Sequence, residues 1–101
     1  MEYTPRRITL EGNGTEVGEH LVSRAQIDSN HHLNNSEYIN LAYAYLPENS
    51  RVRQIRAEYK RAAYLGDRMK SVVYEQEKGK LQVQLNDEEM NPYAVVELSY
   101  E

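Results

Sequence analysis

The chain has 101 residues, a net charge of −4, three His and no Cys. That fits one domain and excludes a disulfide framework and thiolate catalysis. Apolar residues make up 40% of it, so a folded core is expected rather than disorder. No apolar run approaches the ~18 residues of a membrane span. Residues 1–9 carry no signal-peptide apolar region, and the chain reads as a soluble cytoplasmic domain.

Residues 1–16 read as a lead-in or linker, broken by Pro5, Gly12 and Gly14. Residues 17–101 read as a single domain. Alternation over Val17–Ile27 predicts a strand, with Leu21, Ser23, Ala25 and Ile27 sharing one face. Residues 28–33 interrupt it with small and polar side chains. Asn34 is placed to cap a helix, with Glu37 at capping-box spacing and Leu33 and Tyr38 at staple positions. The run 38–46 is apolar nearly all round, which predicts a buried helix ended by Pro47.

Four extended runs follow. Ile55, Ala57 and Tyr59 alternate inward against Arg56, Glu58 and Lys60, and Gly66-Asp67 makes a turn. Residues 69–77 form the second run, and Lys78-Gly79-Lys80 is a hairpin turn. Leu81, Val83 and Leu85 form the third run, residues 86–92 a loop, and Ala94, Val96, Leu98 and Tyr100 the last. Short turns call for antiparallel pairing. The expected architecture is α+β: a curved five-stranded antiparallel sheet wrapped around one long buried helix. One helix cannot cover both faces of such a sheet. The other face or an edge is expected to pack on a second copy or a sister domain, giving a dimer or a tandem pair.

The charge is uneven. Residues 51–70 hold Arg51, Arg53, Arg56, Lys60, Arg61, Arg68 and Lys70 against Glu58 and Asp67, net +5, which leaves −9 for the rest. Such a stripe can steer an acidic partner or be a solvated outer strand face. There is no basic helix, helix-turn-helix or RNP-type pattern, so no nucleic-acid partner is expected. Aromatic content is nine Tyr with no Phe or Trp, so buried rings bring hydroxyls that need partners.

The polar constellation is Asp28, Asn30, His31, His32, Asn34, Asn35 and Tyr38. If the strand continues extended, Asp28, Asn30 and His32 point into one space at the helix N-terminus. Unpaired amides there can hold a developing oxyanion. Asp28 can then activate water, His32 can hydrogen-bond the carbonyl or the leaving group, and Asn30 can orient either. The same residue types also form ordinary caps and turns. A metal site is disfavoured, because adjacent His31 and His32 point opposite ways on an extended chain and His20 is a poor third ligand. No cofactor is called for. Gly-x-Ser-x-Gly is absent, so a serine nucleophile elbow is not expected.

The segment Ile27-Asp28-Ser-Asn30-His-His32-Leu-Asn34-Asn35-Ser-Glu-Tyr38-Ile39 resembles the Asp-x-Asn-x-His-x-x-Asn-x-x-Tyr stretch of acyl-acyl carrier protein thioesterases, in their C-terminal hotdog half. A second block, Ala57-Glu58-Tyr59-Lys60-Arg61 through Gly66-Asp67, resembles the family's strand after the helix. Pro5-Arg6-Arg7-Ile8 resembles its inter-half linker. The resemblance implies a hotdog fold and hydrolysis of fatty acyl thioesters on acyl carrier protein, ending chain elongation in fatty acid biosynthesis. It implies catalytic roles for Asp28, Asn30 and His32 and substrate-binding roles for Asn34, Asn35 and Tyr38. It also gives the basic stripe a partner, since carrier protein is acidic.

Two departures stand out. The family has an acid two positions after the basic pair that follows the Tyr. Here that place is Ala62 or Ala63. The family also has two halves in tandem, against one here. Two rival readings follow: a non-catalytic hotdog that pairs with a sister half or binds acyl chains, and a stand-alone acyl-CoA thioesterase homodimer.

Overall fold

The computed structural model describes residues 2–3, 8, 10, 12–75 and 79–101. Pro5, Arg6 and Arg7 of the linker resemblance, and Lys78 of the hairpin, lie outside them. The order is β1 (Glu2–Tyr3), β2 (Thr15–Leu21), a 3-10 turn (Arg24–Gln26), α1 (Asn35–Tyr43), β3 (Val52–Tyr59), β4 (Arg68–Glu75), β5 (Lys80–Asn86) and β6 (Pro92–Tyr100). Among the described residues, no helix is long and apolar enough to cross a membrane.

The five longer strands form an antiparallel sheet, as expected. β1 adds a two-residue parallel edge, so the order is β1-β3-β6-β5-β4-β2. β4, β5 and β6 are a plain meander. β3 departs from the expected chain of hairpins, because it pairs with β6 rather than with β4. The connection 60–67 is tied instead to the turn before α1, through the Leu33 N–H on the Ala63 carbonyl at 2.8 Å and the bridge between His32 and Tyr64.

Two local expectations are corrected. The strand expected over 17–27 ends at Leu21. Val22 turns inward and is buried, its N–H on the Asp67 carbonyl and its own carbonyl accepting from Gly66. Leu21 is 52% exposed. The helix is neither long nor buried all round. It has nine residues, and only Tyr38 and Ala42, one turn apart, are buried. It rests on β5 and β6, while Asn40, Tyr43 and Ala44 stay exposed. It ends before Pro47 because the Tyr45 and Leu46 amides bond three residues back, to Ala42 and Tyr43, tightening the last turn.

The core lies between α1 and one sheet face. Leu33, Tyr38 and Ala42 meet Ile55, Met69, Leu81, Val83, Leu85, Ala94, Val96 and Leu98. Of the inward sets read from alternation, Ile55, Ala57, Leu81, Val83, Leu85, Ala94, Val96 and Leu98 are buried, while Tyr59 and Tyr100 are half-buried. The opposite face is not bare. β1 and β2 lie at opposite edges of the sheet. Ile8 is buried with its N–H on a Glu58 carboxylate oxygen at 2.8 Å. Gly14 passes so close to Val72 and Tyr74 that a Cβ there would come within 2.5 Å of both side chains. Both contacts are on the face away from the helix. There Glu97 is buried between Arg56 Nη1 and Gln82 Nε2, each at 2.8 Å. Part of the face expected to need a partner is therefore covered by the chain itself.

Candidate active site

Asp28 and His32 do meet, but not by strand alternation. Residues 28–32 form a closed turn. The Asp28 N–H bonds the His32 carbonyl at 2.9 Å, and the His31 N–H bonds the Asp28 carbonyl at 3.0 Å. His31 has φ of 70°, a left-handed conformation that closes the loop. Asp28 Oδ1 accepts the Asn30 N–H at 2.9 Å, and Asp28 Oδ2 lies 3.5 Å from His32 Nδ1. The short bridge Ile27↔Leu33 anchors the turn below. Residues 28, 30 and 32 therefore do not share one face. Asn30 is exposed and joins the pair through its backbone amide.

The helix start is also more occupied than expected. Asn34 is the N-cap, its Oδ1 accepting from the Ser36 N–H at 3.1 Å and the Ser36 hydroxyl at 3.0 Å. The Glu37 amide bonds the Asn34 carbonyl at 2.9 Å. Two amides expected to be open are thus engaged within the chain. The capping box does not form around Asn34. The Glu37 carboxylate instead takes the Gln26 amide at 2.9 Å, and Gln26 Oε1 lies 2.7 Å from His20 Nε2. Leu33 and Tyr38, at the staple positions, are both buried in the core.

An open cleft of about 220 Å³ lies beside this turn, lined by His32, Leu33, Asn35, Tyr38, Tyr59, Lys60, Arg61 and Ala62. His32 is in the lining and Asp28 is not, so Asp28 stands behind the imidazole. The Tyr38 hydroxyl accepts the Ala63 N–H at 3.2 Å. Burial pushes its ionisation above the ordinary phenol range, and that bond draws it partly back. The Tyr38 and Tyr59 rings lie 5.5 Å apart, and the Tyr59 hydroxyl reaches the Asn35 carbonyl at 3.4 Å. His32 meets Tyr64 edge-on at 6.3 Å. Ala62 lines the cleft where the resemblance expects an acid, and Ala63 is fully buried. Lys60, Arg61 and Ala62 were in the second matching block, yet alternation had no means of turning that block toward His32.

The basic stripe does not survive as one surface. β3 and β4 are separated by β6 and β5, so Arg68 and Lys70 are distant from the β3 arginines. Most of these charges are also paired: Arg53 with Glu101 at 2.7 Å, Arg56 with Glu97, Lys60 with Glu58 at 3.1 Å, and Arg68 with Glu19 at 2.9 Å. Arg61 bonds Asp87 and the Asn91 carbonyl and lies 4.1 Å over the Tyr93 ring.

The family model for the acyl-ACP thioesterase C-terminal domain matches residues 11–99. The chain belongs to that family. A search of curated protein sequences finds no match. Among solved structures, an acyl-ACP thioesterase from Bacteroides thetaiotaomicron superposes with a TM-score of 0.86 at 22% identity over 97% of this chain. The chain spans 42% of the length of that thioesterase. A 1,4-dihydroxy-2-naphthoyl-CoA thioesterase from Synechocystis gives 0.72 at 11% identity, over 82% of this chain and 77% of that one. A probable thioesterase from Escherichia coli gives 0.69 at 19%, over 82% and 78%. These likenesses carry the fold, a hotdog-type antiparallel sheet with one helix.

Proposed function

We propose that this domain hydrolyses fatty acyl thioesters carried on acyl carrier protein, as the C-terminal half of a tandem or as a pair of copies. The observation that carries the reading is the Asp28–His32 pair, with the imidazole in the wall of the cleft and the carboxylate behind it. Family membership supports the substrate class.

In this mechanism a water enters beside His32. With Nδ1 turned to Asp28, the Nε2 edge is the proton acceptor. The water oxygen attacks the thioester carbonyl carbon as His32 takes its proton, and Asp28 stabilises the imidazolium. Asn35, in the same wall, donates to the carbonyl oxygen as it becomes an oxyanion. The C–S bond then breaks, and His32 returns the proton to the departing thiolate. Asn30 holds Asp28 through its amide, Asn34 holds the helix start, and Tyr38 shapes the apolar wall.

Pairing is part of the proposal. β2 is a sheet edge with Val17 and Leu21 exposed, a surface that another sheet can extend. Sedimentation should show a dimer of the chain; a monomer at high concentration would remove the pairing. Comparing kcat/KM for the same acyl group on carrier protein and on CoA tests the carrier, and a preference for CoA would favour the homodimeric acyl-CoA reading. Ala62 in the cleft favours a second reading, a hotdog that binds without turnover. Introducing Ala62→Glu separates the two: a large gain in hydrolysis over an inactive parent supports the non-catalytic reading of the natural chain.

A further inference from the structure

We propose that Asn13 is a modification site, where the chain deamidates itself through a cyclic imide with Gly14. The inference is independent of the reaction proposed for the His32 cleft.

Asparagine is among the thermolabile residues, and its decay needs two free groups. The backbone nitrogen of the following residue must reach the carbon of the side-chain amide. Glycine, with no Cβ, allows the closest approach. Asn13-Gly14 is the one Asn-Gly step in the sequence. Both residues are exposed, and Gly12 before them, at φ of 80°, has open space around it. Among the described residues, neither the Asn13 side chain nor the Gly14 N–H has a hydrogen-bond partner. Position 14 also holds its glycine in place. A Cβ there would come within 2.5 Å of Val72 and Tyr74, so a larger residue has no room.

The other asparagines each lack one of these conditions. The amides after Asn30, Asn35, Asn49 and Asn86 are engaged, each at 3.3 Å or less. His31 donates to the Asp28 carbonyl, Ser36 to Asn34 Oδ1, Ser50 to the Pro47 carbonyl and Asp87 to the Asn91 carbonyl. Asn40 lies inside α1, and the Asn34 side chain is the helix cap. Asn91 precedes Pro92, which has no N–H to lose.

In the reaction the Gly14 nitrogen bonds Asn13 Cγ and the Cγ–Nδ2 bond breaks. The Gly14 amide proton leaves with the side-chain nitrogen as ammonia. Water then opens the imide ring. Addition at Cγ gives an ordinary aspartyl link, and addition at the main-chain carbonyl gives an isoaspartyl link. Both forms gain a negative charge. The isoaspartyl form also inserts a methylene into the backbone just before Gly14, which displaces it from its close seat on Val72 and Tyr74.

The test is to incubate the full chain at mildly alkaline pH, folded and in guanidinium chloride, and to follow it by peptide mass mapping. Isoaspartate is counted with an isoaspartyl-specific methyltransferase. In the folded chain the Asn13 peptide should exchange NH2 for OH and take up methyl groups at least tenfold faster than the Asn35 and Asn49 peptides. In denaturant those two should speed up as their following amides come free, while Asn13 keeps its rate. Asn13→Gln, a change on an exposed side chain, should abolish the conversion. The aged chain should melt below Asn13→Asp, which carries the charge without the added methylene. Conversion of Asn13 no faster than of Asn49 in the folded chain would overturn the proposal, as would conversion only in denaturant. Equal melting of the aged chain and Asn13→Asp would overturn the displacement of Gly14.

Discussion

The chain makes the same turn twice, and its two versions differ in what they leave available. At Asp28 and at Asp87 the aspartate N–H bonds the carbonyl four residues on, to His32 and Asn91. In both, the amide three residues on returns to the aspartate carbonyl, from His31 and from Met90. That residue is left-handed in both, with φ of 70° and 67°. The side chain then accepts the amide two residues on, Asn30 in one turn and Glu89 in the other, each at 2.9 Å. Beyond this shared frame the two part. Asp87 also takes the Asn91 amide at 2.9 Å and the Arg61 guanidinium. Asp28 has His32 at 3.5 Å instead. One carboxylate is fully committed to holding a loop between β5 and β6. The other is held by its frame and presents its second oxygen to an imidazole at a cleft. The lesson is that one frame can position two aspartates alike and still leave the second oxygen facing a guanidinium in one turn and an imidazole at a cleft in the other.

Substitutions can break this comparison at its anchor. Leu33 closes the Asp28 turn and is buried in the core. Leu33→Ala should cost about 2–5 kcal/mol in chemical denaturation and carry the His32 ring NMR signal with it. A loss below 1 kcal/mol, on the same scale, would mean that the turn is not held by the core.

The second effect sharpens the contrast through pH. The Asn91 amide, with Glu89 and Arg61, holds the Asp87 carboxyl below the usual carboxylate range. A lowered folded value means that the unfolded chain binds the proton first, so this stabilisation is present above the usual range and fades as pH falls through the folded value. Asp87→Asn should lower Tm at neutral pH and flatten the acid limb of the Tm–pH curve. An acid limb identical to the parent's would remove Asp87 from that role.

At the other end of the pH scale, burial raises the ionisation of Tyr38 and Tyr93. The folded state keeps their protons longer, so stability is complete below the ordinary phenol value and falls as pH rises past it. Tyr38→Phe should reduce this alkaline loss, seen in thermal melts above about pH 10. An unchanged alkaline slope would count against the buried hydroxyl as its source. The smallest effect is on the left-handed positions. His31→Gly and Met90→Gly should each change stability by no more than about 1 kcal/mol, in the stabilising direction, as relief of strain outweighs the added chain entropy. Destabilisation by either would show that its side chain does more than close the loop.

Much of the sheet was legible because alternation is a direct imprint of burial on one face. Leu81, Val83 and Leu85, and Ala94, Val96 and Leu98, are buried as read. The Asn34 cap was legible because its side chain acts locally. The pairing of β3 with β6 was not, since strand order depends on contacts between distant residues. The site was half legible. Asp28 and His32 stand out by type, but their geometry comes from a turn closed by a left-handed His31, where Gly is the usual residue. Alternation across 28–32 therefore brought Asp28 and His32 together by the wrong path, and it drew Asn30 in with them. The cleft wall from Tyr59 to Ala62 was hidden because it becomes a wall only when residues 60–67 fold against Leu33 and His32.

The central claim is that Asp28 acts in chemistry and Asp87 in structure. It is tested most directly by measuring single-turnover hydrolysis of a long-chain acyl-carrier-protein thioester by the chain, by Asp28→Asn and by Asp87→Asn, all at a temperature where each is folded. The account predicts a fall of about 10²–10⁴-fold for Asp28→Asn with an unchanged Tm, and near-parental hydrolysis for Asp87→Asn with a lower Tm. Near-parental hydrolysis by Asp28→Asn, or no hydrolysis by the parent chain in either its paired or unpaired form, would contradict it.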